Sequence, residues 1–357
     1  MENIETSIAI HPKEFLKDLL VSFDMTQKDL AARIGVSEKM ITGIIKNGDR
    51  ITPDTAMKLE KIFETPATFW IGAQSRYDAY VKRIEEDSAL EGSQSEAYKK
   101  KGINKIYKQL VKNGVLEPSK SLIDEIRSMM AFFGVSDLNL LDKVYKQQLG
   151  MAWKPSVKFS TYDFIAWLRC GEKKFRETSL PAYDREKFSL AVQNVRQLAD
   201  KNIEYAWAQI EKEYAASGVF AVHTPCLNAS RAYGFTEWIG DNAVIHLSFR
   251  GSNDAKWHAL FHESGHVLQG KKSKLFVNMD CFANETDPDE VVAHNFALDT
   301  LIPKRSEFKR FLEESKFTEK TIKCHADLQK VHPGIIVAQL QRNGRLKWDS
   351  KLNSLKK

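Results

Sequence analysis

The pentapeptide His262-Glu263-Ser264-Gly265-His266 constrains this chain more than any other stretch. It reads H-E-x-x-H inside Trp257–Gly270 (WHALFHESGHVLQG), an apolar segment that reads as helix. On a helix, residues four apart share a face, so the two imidazoles stand side by side where two nitrogens can bind one Zn2+. Glu263 lies next to the first of them, placed to take a proton from a metal-bound water.

A catalytic zinc needs three protein ligands and one open position. Glu290 is the best candidate for the third. It lies on a helix expected over Asp289–Leu301, near the positive end of its dipole. Asp280, Glu285, Asp287 and His294 compete for the same role. The longer pattern with a third histidine fails because position 272 is lysine. His294, four residues after Glu290, is expected to orient a ligand by a hydrogen bond. His258 shares the face of His262 and reads as a packing or outer hydrogen-bonding group, with a role near substrate as the alternative. His223, His246, Tyr233 and Arg250 are candidates for stabilising an oxyanion, with packing roles as the alternative. Such a site is expected to activate water for attack on a peptide carbonyl, Glu263 relaying the proton to the leaving amine.

The strand signals sit just upstream. Gly218–Val222 reads as a short strand. Ala232–Ile239 and Ala243–Phe249 read as a hairpin around Gly240-Asp241-Asn242. In the second run Ala243, Ile245, Leu247 and Phe249 face one way, and Val244, His246, Ser248 and Arg250 the other.

The N-terminal third carries a different signal. Thr26 caps a helix over Gln27–Ile34, Gly35 supplies a tight turn, and Ser37 caps a second helix to about Ile45. That is a helix-turn-helix, whose second helix enters the major groove of DNA. Pro12–Phe23 precedes it, and Thr52–Phe63 and Pro66–Tyr80 follow as helices. Ser37, Glu38, Lys39 and Thr42 face outward to read bases. Lys46, Asn47 and Arg50 lie just past the helix end, where Lys46 and Arg50 suit phosphates, and Gln27 is also placed for a phosphate. A small helical protein-interaction bundle is the alternative reading. A net charge of +6 permits nucleic-acid contact without establishing it.

Ile84–Ser95 is polar and poor in large apolar groups, so it reads as a linker. Helices are expected over Tyr98–Val111, Pro118–Phe133, Ser136 to about Tyr145, Thr161–Arg169, Arg185–Leu198 and Ile203–Ser217, with a helical tail to about Gln341. The domains expected are 1–83 for DNA binding, 84–150 as linker and helical connector, 151–310 for the metal site, and 311–357 as a helical extension. The fold class is α+β and mostly helical. No apolar run approaches the roughly 20 residues of a membrane span, and the N-terminus lacks a signal-peptide pattern. The four cysteines, Cys170, Cys226, Cys281 and Cys324, are scattered and read as free thiols, so the expected location is the cytoplasm.

Residues 13–80, with TQKDLAARIGVSEKMITGIIKNGDRITPDTAMKLEKIF and ATFWIGAQSRYDAY, resemble the Xre/Cro-type domain of HigA-like antitoxins. Residues 218–303 resemble the ImmA/IrrE metallopeptidases, FHESGHVL matching the active-site helix and EVVAHNFALDTLIP a later helix. Members often have Asn or Asp where His294 stands and a second acid where Val292 stands. The resemblance implies zinc ligands His262, His266 and Glu290, Glu263 as general base, and a small zincin-like domain with a short antiparallel sheet on the H-E-x-x-H helix. It implies a zinc endopeptidase tied to transcription control, acting on a repressor, a toxin-antitoxin partner or itself in a stress, phage or mobile-element setting. The partners expected are an operator in double-stranded DNA, that protein substrate and a second copy in a homodimer, with no membrane. The alternatives are a HigA-like repressor whose C-terminal domain only binds or senses, and a plain dimeric repressor with a structural metal, for which no fourth ligand stands out.

Overall fold

The computed structural model of the chain describes residues 9–148, 161–224, 227, 232–272, 276–278 and 287–356. The chain divides into two compact units, 1–96 and 97–357.

Among its described residues the first unit is all helical: α1 (Pro12–Ser22), α2 (Gln27–Ile34), α3 (Glu38–Thr42), α4 (Pro53–Phe63) and α5 (Ala67–Ala89). Side-chain caps set the boundaries. Thr26 and Asp29 form a reciprocal capping box on α2, Ser37 caps α3, and Thr52 caps α4 ahead of Pro53. Each such cap is worth about 1 kcal/mol. Gly35, at φ +66°, ends α2 in the left-handed region that glycine enters freely. The core gathers Leu16, Leu20, Leu30, Ile34, Ile41, Ile44, Leu59, Phe63 and Trp70.

Two expectations change in this unit. The second helix of the motif does not stay α-helical to its end but widens into a π-turn over Gly43–Asn47. The expected linker over Ile84–Ser95 is helical instead. α5 runs on to Ala89, carrying a Lys82–Glu85 pair, and the regular backbone breaks at Gly92. Helix-forming but polar residues cover an exposed helix there, and polarity alone does not distinguish that from a loop.

The boundary falls within α6 (Ser95–Lys100), and the second unit continues with α7 (Ile103–Lys112), α8 (Leu122–Phe133) and α9 (Leu141–Gln148). The single helix expected over Tyr98–Val111 is thus two, divided at Gly102. Next come α10 (Thr161–Arg176), α11 (Arg185–Arg196) and α12 (Ile203–Ala215), then strands β1 (Val219–His223), β2 (Gly234–Ile239) and β3 (Asn242–Leu247). They are followed by α13 (Asn253–Gln269), β4 (Phe276–Asn278), α14 (Pro288–Leu301), α15 (Arg305–Leu312), α16 (Glu319–Gln329) and α17 (Pro333–Arg342).

The sheet order is β1-β3-β2-β4. β2 pairs antiparallel with β3 and β4, but β1 pairs parallel with β3, so the sheet is mixed rather than antiparallel. The β2–β3 hairpin folds back to insert β3 beside β1, so β2 belongs to the crossover that a parallel pair requires. Ile239 pairs with Asn242, leaving Gly240-Asp241 as a two-residue turn.

Both faces of the sheet are covered. Phe235 and His246 pack against Phe164 and Trp167 of α10. Ala243, Ile245 and Leu247 join the core that includes Trp257, Leu260 and Phe261 of α13. Residues 311–340 contribute Phe311, Ile322, Ile336 and Leu340 to that same core, so the expected C-terminal extension is an integral part of it. Arg196, buried at the end of α11, donates to carbonyls at the end of α14 (Thr300, Leu301) and of α16 (Gln329, Lys330). Those carbonyls have no partner within their own helices. Among the described residues no helix is long and apolar enough to cross a membrane.

α13 and α14 meet at Gly265. A Cβ there would lie 3.0 Å from Ala293 Cα and 3.3 Å from Phe296 Cδ1. Gly265→Val therefore overpacks the crossing, and the expected loss is about 1–3 kcal/mol, read as a lower urea midpoint with an unchanged slope. An unchanged midpoint would show that the two helices are free to separate.

Candidate metal centre and helix-turn-helix surface

Every residue of α13 from Trp257 to Val267 is buried. The i, i+4 spacing sets His262 Nε2 and His266 Nε2 3.0 Å apart. Glu290, in the first turn of α14, brings Oε2 to 3.0 Å from His262 Nε2 and 3.5 Å from His266 Nε2. Among the described residues these three side chains converge with their ligand atoms within 4.8 Å of one another. Ligand atoms about 2.0–2.1 Å from a tetrahedral zinc lie about 3.3 Å apart, so the donor set and its spacing fit that ion.

The electrostatics agree with that fit. Burial pushes the Glu290 carboxyl up, but bonds to His262 and His266 outweigh it and hold the group at about 2. Burial pulls the His266 imidazole below its ordinary value, against the pull of Glu290. An ionised carboxylate facing a neutral imidazole is the protonation state that a divalent cation requires. Gln269 donates to the carbonyl of Asp289, linking the end of α13 to the start of α14.

Glu263 is fully buried, and burial pushes its carboxyl well above the ordinary range, opposed by a hydrogen bond from Thr236 and reinforced by the charge of Glu290. Thr236 Oγ1 donates to Glu263 Oε2 at 2.6 Å. Glu263 Oε1 has no hydrogen-bond partner among the described residues. Neither Thr236 nor Gly234, which lies against the same carboxylate, was singled out from the sequence. Their one signal was period-two placement on the hairpin, and the partner across the sheet is not encoded locally.

The other competitors for the third ligand part company in the structure. Asp287 caps α14 by accepting from Asp289 N. Asp280 and Glu285 lie outside the described residues, as do Cys226 and Cys281. Val292 is 54% exposed, away from the buried triad.

The flanking candidates divide in the same way. His258 is buried with its ring 5.9 Å from that of His262 and 5.0 Å from that of His294. Burial, with Arg342, His262 and His294 nearby, holds His258 well below its usual value. His246 is not brought to the triad. It faces α10 on the opposite side of the sheet, its Nε2 2.8 Å from Glu237, and Gly171 leaves the room it occupies. His223 stacks on Phe249 at 4.0 Å. Tyr233 lies under the Arg250 guanidinium at 5.9 Å.

On the helix-turn-helix, Glu38, Lys39, Lys46 and Asn47 are exposed. The four other expected contacts, Ser37, Thr42, Gln27 and Arg50, are engaged within the protein. Ser37 Oγ accepts from Met40 N as the cap of α3. Thr42 Oγ1 donates to Gln27 Oε1 at 3.1 Å, tying the two helices together. Arg50 pairs with Asp78 of α5 at 2.6 Å, while Gln74 donates to the same carboxylate and accepts from Ile51 N.

A family profile described as helix-turn-helix matches residues 16–70. An uncharacterized HTH-type transcriptional regulator of Haemophilus influenzae is 35% identical over 68 residues, which are 19% of this chain and 60% of that protein. Virulence-associated protein I of Dichelobacter nodosus is 35% identical over 80 residues, 22% of this chain and 72% of that protein. Among solved structures, the Pseudomonas aeruginosa antitoxin HigA with higBA promoter is 30% identical with a TM-score of 0.23, covering 24% of this chain and 94% of that one. An addiction module antidote protein of the HigA family from Coxiella burnetii has the same identity and coverage and a TM-score of 0.22. By its N-terminal domain the chain belongs to the helix-turn-helix family.

Proposed function

We propose that this chain is a DNA-binding transcriptional regulator whose second unit is a zinc-dependent endopeptidase of the ImmA/IrrE kind, with a zincin-like site. The observation that carries the enzymatic half is the convergence of His262, His266 and Glu290 within 4.8 Å, beside a buried glutamate that keeps one oxygen without a partner. His262, His266 and Glu290 would hold the zinc ion. Bound there, zinc supplies a Lewis acid that polarises a carbonyl and acidifies water. Glu263 would accept the proton at Oε1 and return it to the leaving amine. The substrate proposed is a regulatory protein partner or the chain itself, in a stress, phage or toxin-antitoxin setting.

The DNA half rests on the helix-turn-helix match and on relatives named as transcriptional regulators. α3 would lie in the major groove, with Lys39, Thr42 and Glu38 toward base edges and Lys46 and Asn47 toward the backbone. A homodimer on a two-fold operator would be its working form.

Two measurements separate these readings. Purified protein is expected to hold about one zinc per chain, with most of it lost on His262→Ala or Glu290→Ala. Glu263→Gln is expected to keep the metal but lose metal-dependent cleavage of a neighbouring-gene product. Absence of zinc in the wild type, with no effect of His262→Ala, favours the repressor whose second unit only binds a partner.

On DNA, Lys46→Ala should weaken binding to operator and random duplex alike and reduce the salt slope by about 0.9. Thr42→Ala should cost about 1–3 kcal/mol on the operator, and far less on random duplex, because it removes a base reader. Equal losses from both variants on both duplexes contradict readout by α3.

A further inference from the structure

Thr236 and Gly234 lie two positions apart on β2, on the face turned to α13. We propose that Thr236 is a positioning residue for Glu263, with Gly234 as the second half of the same device. This deepens the endopeptidase reading and rests on Glu263 serving there as proton acceptor.

Two independent contacts carry it. Thr236 Oγ1 donates to Glu263 Oε2 at 2.6 Å, and both residues are buried. A hydroxyl has one proton to donate, so this bond selects which carboxylate oxygen is engaged. Oε1 retains its full accepting capacity. Threonine is stiff about its Cα–Cβ bond, and β2 is an inner strand, paired on both sides. The anchor is therefore fixed to the sheet and not to the helix that carries the glutamate.

The second contact is steric. A Cβ on Gly234 would lie 2.7 Å from Glu263 Cγ and 2.7 Å from Oε1. The carboxylate fills space that any other residue at position 234 would occupy. One strand residue grips the first oxygen and its neighbour makes room for the second. Glu263 is thereby held in one rotamer, with Oε1 reserved for a proton donor bound beside His262.

A purely structural role for Thr236 would end at satisfying a buried acceptor. The two roles separate when the full-length chain is loaded with Co2+ alone and its visible ligand-field absorption is recorded. In the proposed site Glu263 would face a water bound to the metal, so moving that carboxylate would shift the band while the ligands stay in place. Glu263→Gln is expected to shift the spectrum. Thr236→Val, which keeps the shape and removes the donor, is expected to reproduce that shift. It should retain one cobalt per chain and keep affinity within roughly tenfold, below the larger losses seen when a ligand's own orienting partner is removed. Thr236→Ser should coincide with wild type.

A Thr236→Val spectrum identical to wild type, with Glu263→Gln shifted, overturns the positioning role alone. Glu263→Gln identical to wild type, or no cobalt bound at all, removes the reading beneath it and the proposal together. If Thr236→Val fails to fold, Gly234→Ala crowds the same carboxylate from the other side. It should give the Glu263→Gln spectrum, and a wild-type spectrum there also overturns the proposal.

Discussion

The convergence of His262, His266 and Glu290 depends on how closely α13 and α14 approach. Packed helices ordinarily lie 8–10 Å apart, and a glutamate must cross that gap to reach two imidazoles on its neighbour. Gly265 removes the side chain that would hold the helices apart, facing Ala293 and Phe296 directly. A mid-helix glycine costs about 1 kcal/mol relative to alanine, and here the cost is offset by packing on both sides. The same device recurs through the layers. Gly171 lets α10 approach His246 of β3, and Gly234 lets β2 approach Glu263 of α13. From α10 through the sheet and α13 to α14, each close interface has a glycine where a side chain would otherwise stand. At the far end of α14, Arg196 holds the terminal carbonyls. Glu290 therefore sits on a helix restrained at both ends.

That packing explains how α13 tolerates its own sequence. It buries His258, His262, Glu263, Ser264 and His266, a polar load that a core helix rarely carries. Each buried polar group needs a partner or it costs about 1–3 kcal/mol, more if charged. Ser264 has Tyr214 and the carbonyl of Leu260. His262, His266 and Glu290 have one another. Glu263 has a single donor and an oxygen left over. A helix selected for stability alone would not retain an ionisable group in that state, since an apolar residue of equal volume there is neutral or better. The unused accepting capacity of Oε1 is therefore not accounted for by stability.

What could be read from the residues follows the range of the physics. The helix-turn-helix was legible because caps act within four residues: Thr26 on Asp29, Ser37 on Met40, Thr52 on Thr55. The pairing of His262 with His266 was legible because helical periodicity is local. Glu290 was nameable as a candidate ligand, but its reach depends on Gly265 and Ala293, which are distant in sequence and adjacent in space. The parallel pairing of β1 with β3 was not legible, because strand order depends on a crossover rather than on any strand's own pattern. For the same reason sequence proximity does not locate His246, whose parity on β3 turns it toward α10. The helical run to Ala89 was missed because a solvated helix and a polar linker share one composition.

The helix-turn-helix unit shows a related economy in its exposed groups. Thr42 and Gln27, both on the face expected to meet DNA, bond to each other. Arg50 is held by Asp78, whose second oxygen is fixed by Gln74, and Gln74 in turn accepts from the backbone of Ile51. Exposed ion pairs of this kind add little stability, about 0–1 kcal/mol. Their effect is to limit the rotamers of long side chains before any partner arrives. Immobilising such a side chain on binding costs about 0.5–1.5 kcal/mol, and part of that cost is already met in the free protein. The network joins the loop after α3 to α5, so the direction in which Arg50 points is set by a helix outside the two-helix motif. The orientation of Arg50 is thus a property of the whole unit and not of α2 and α3 alone.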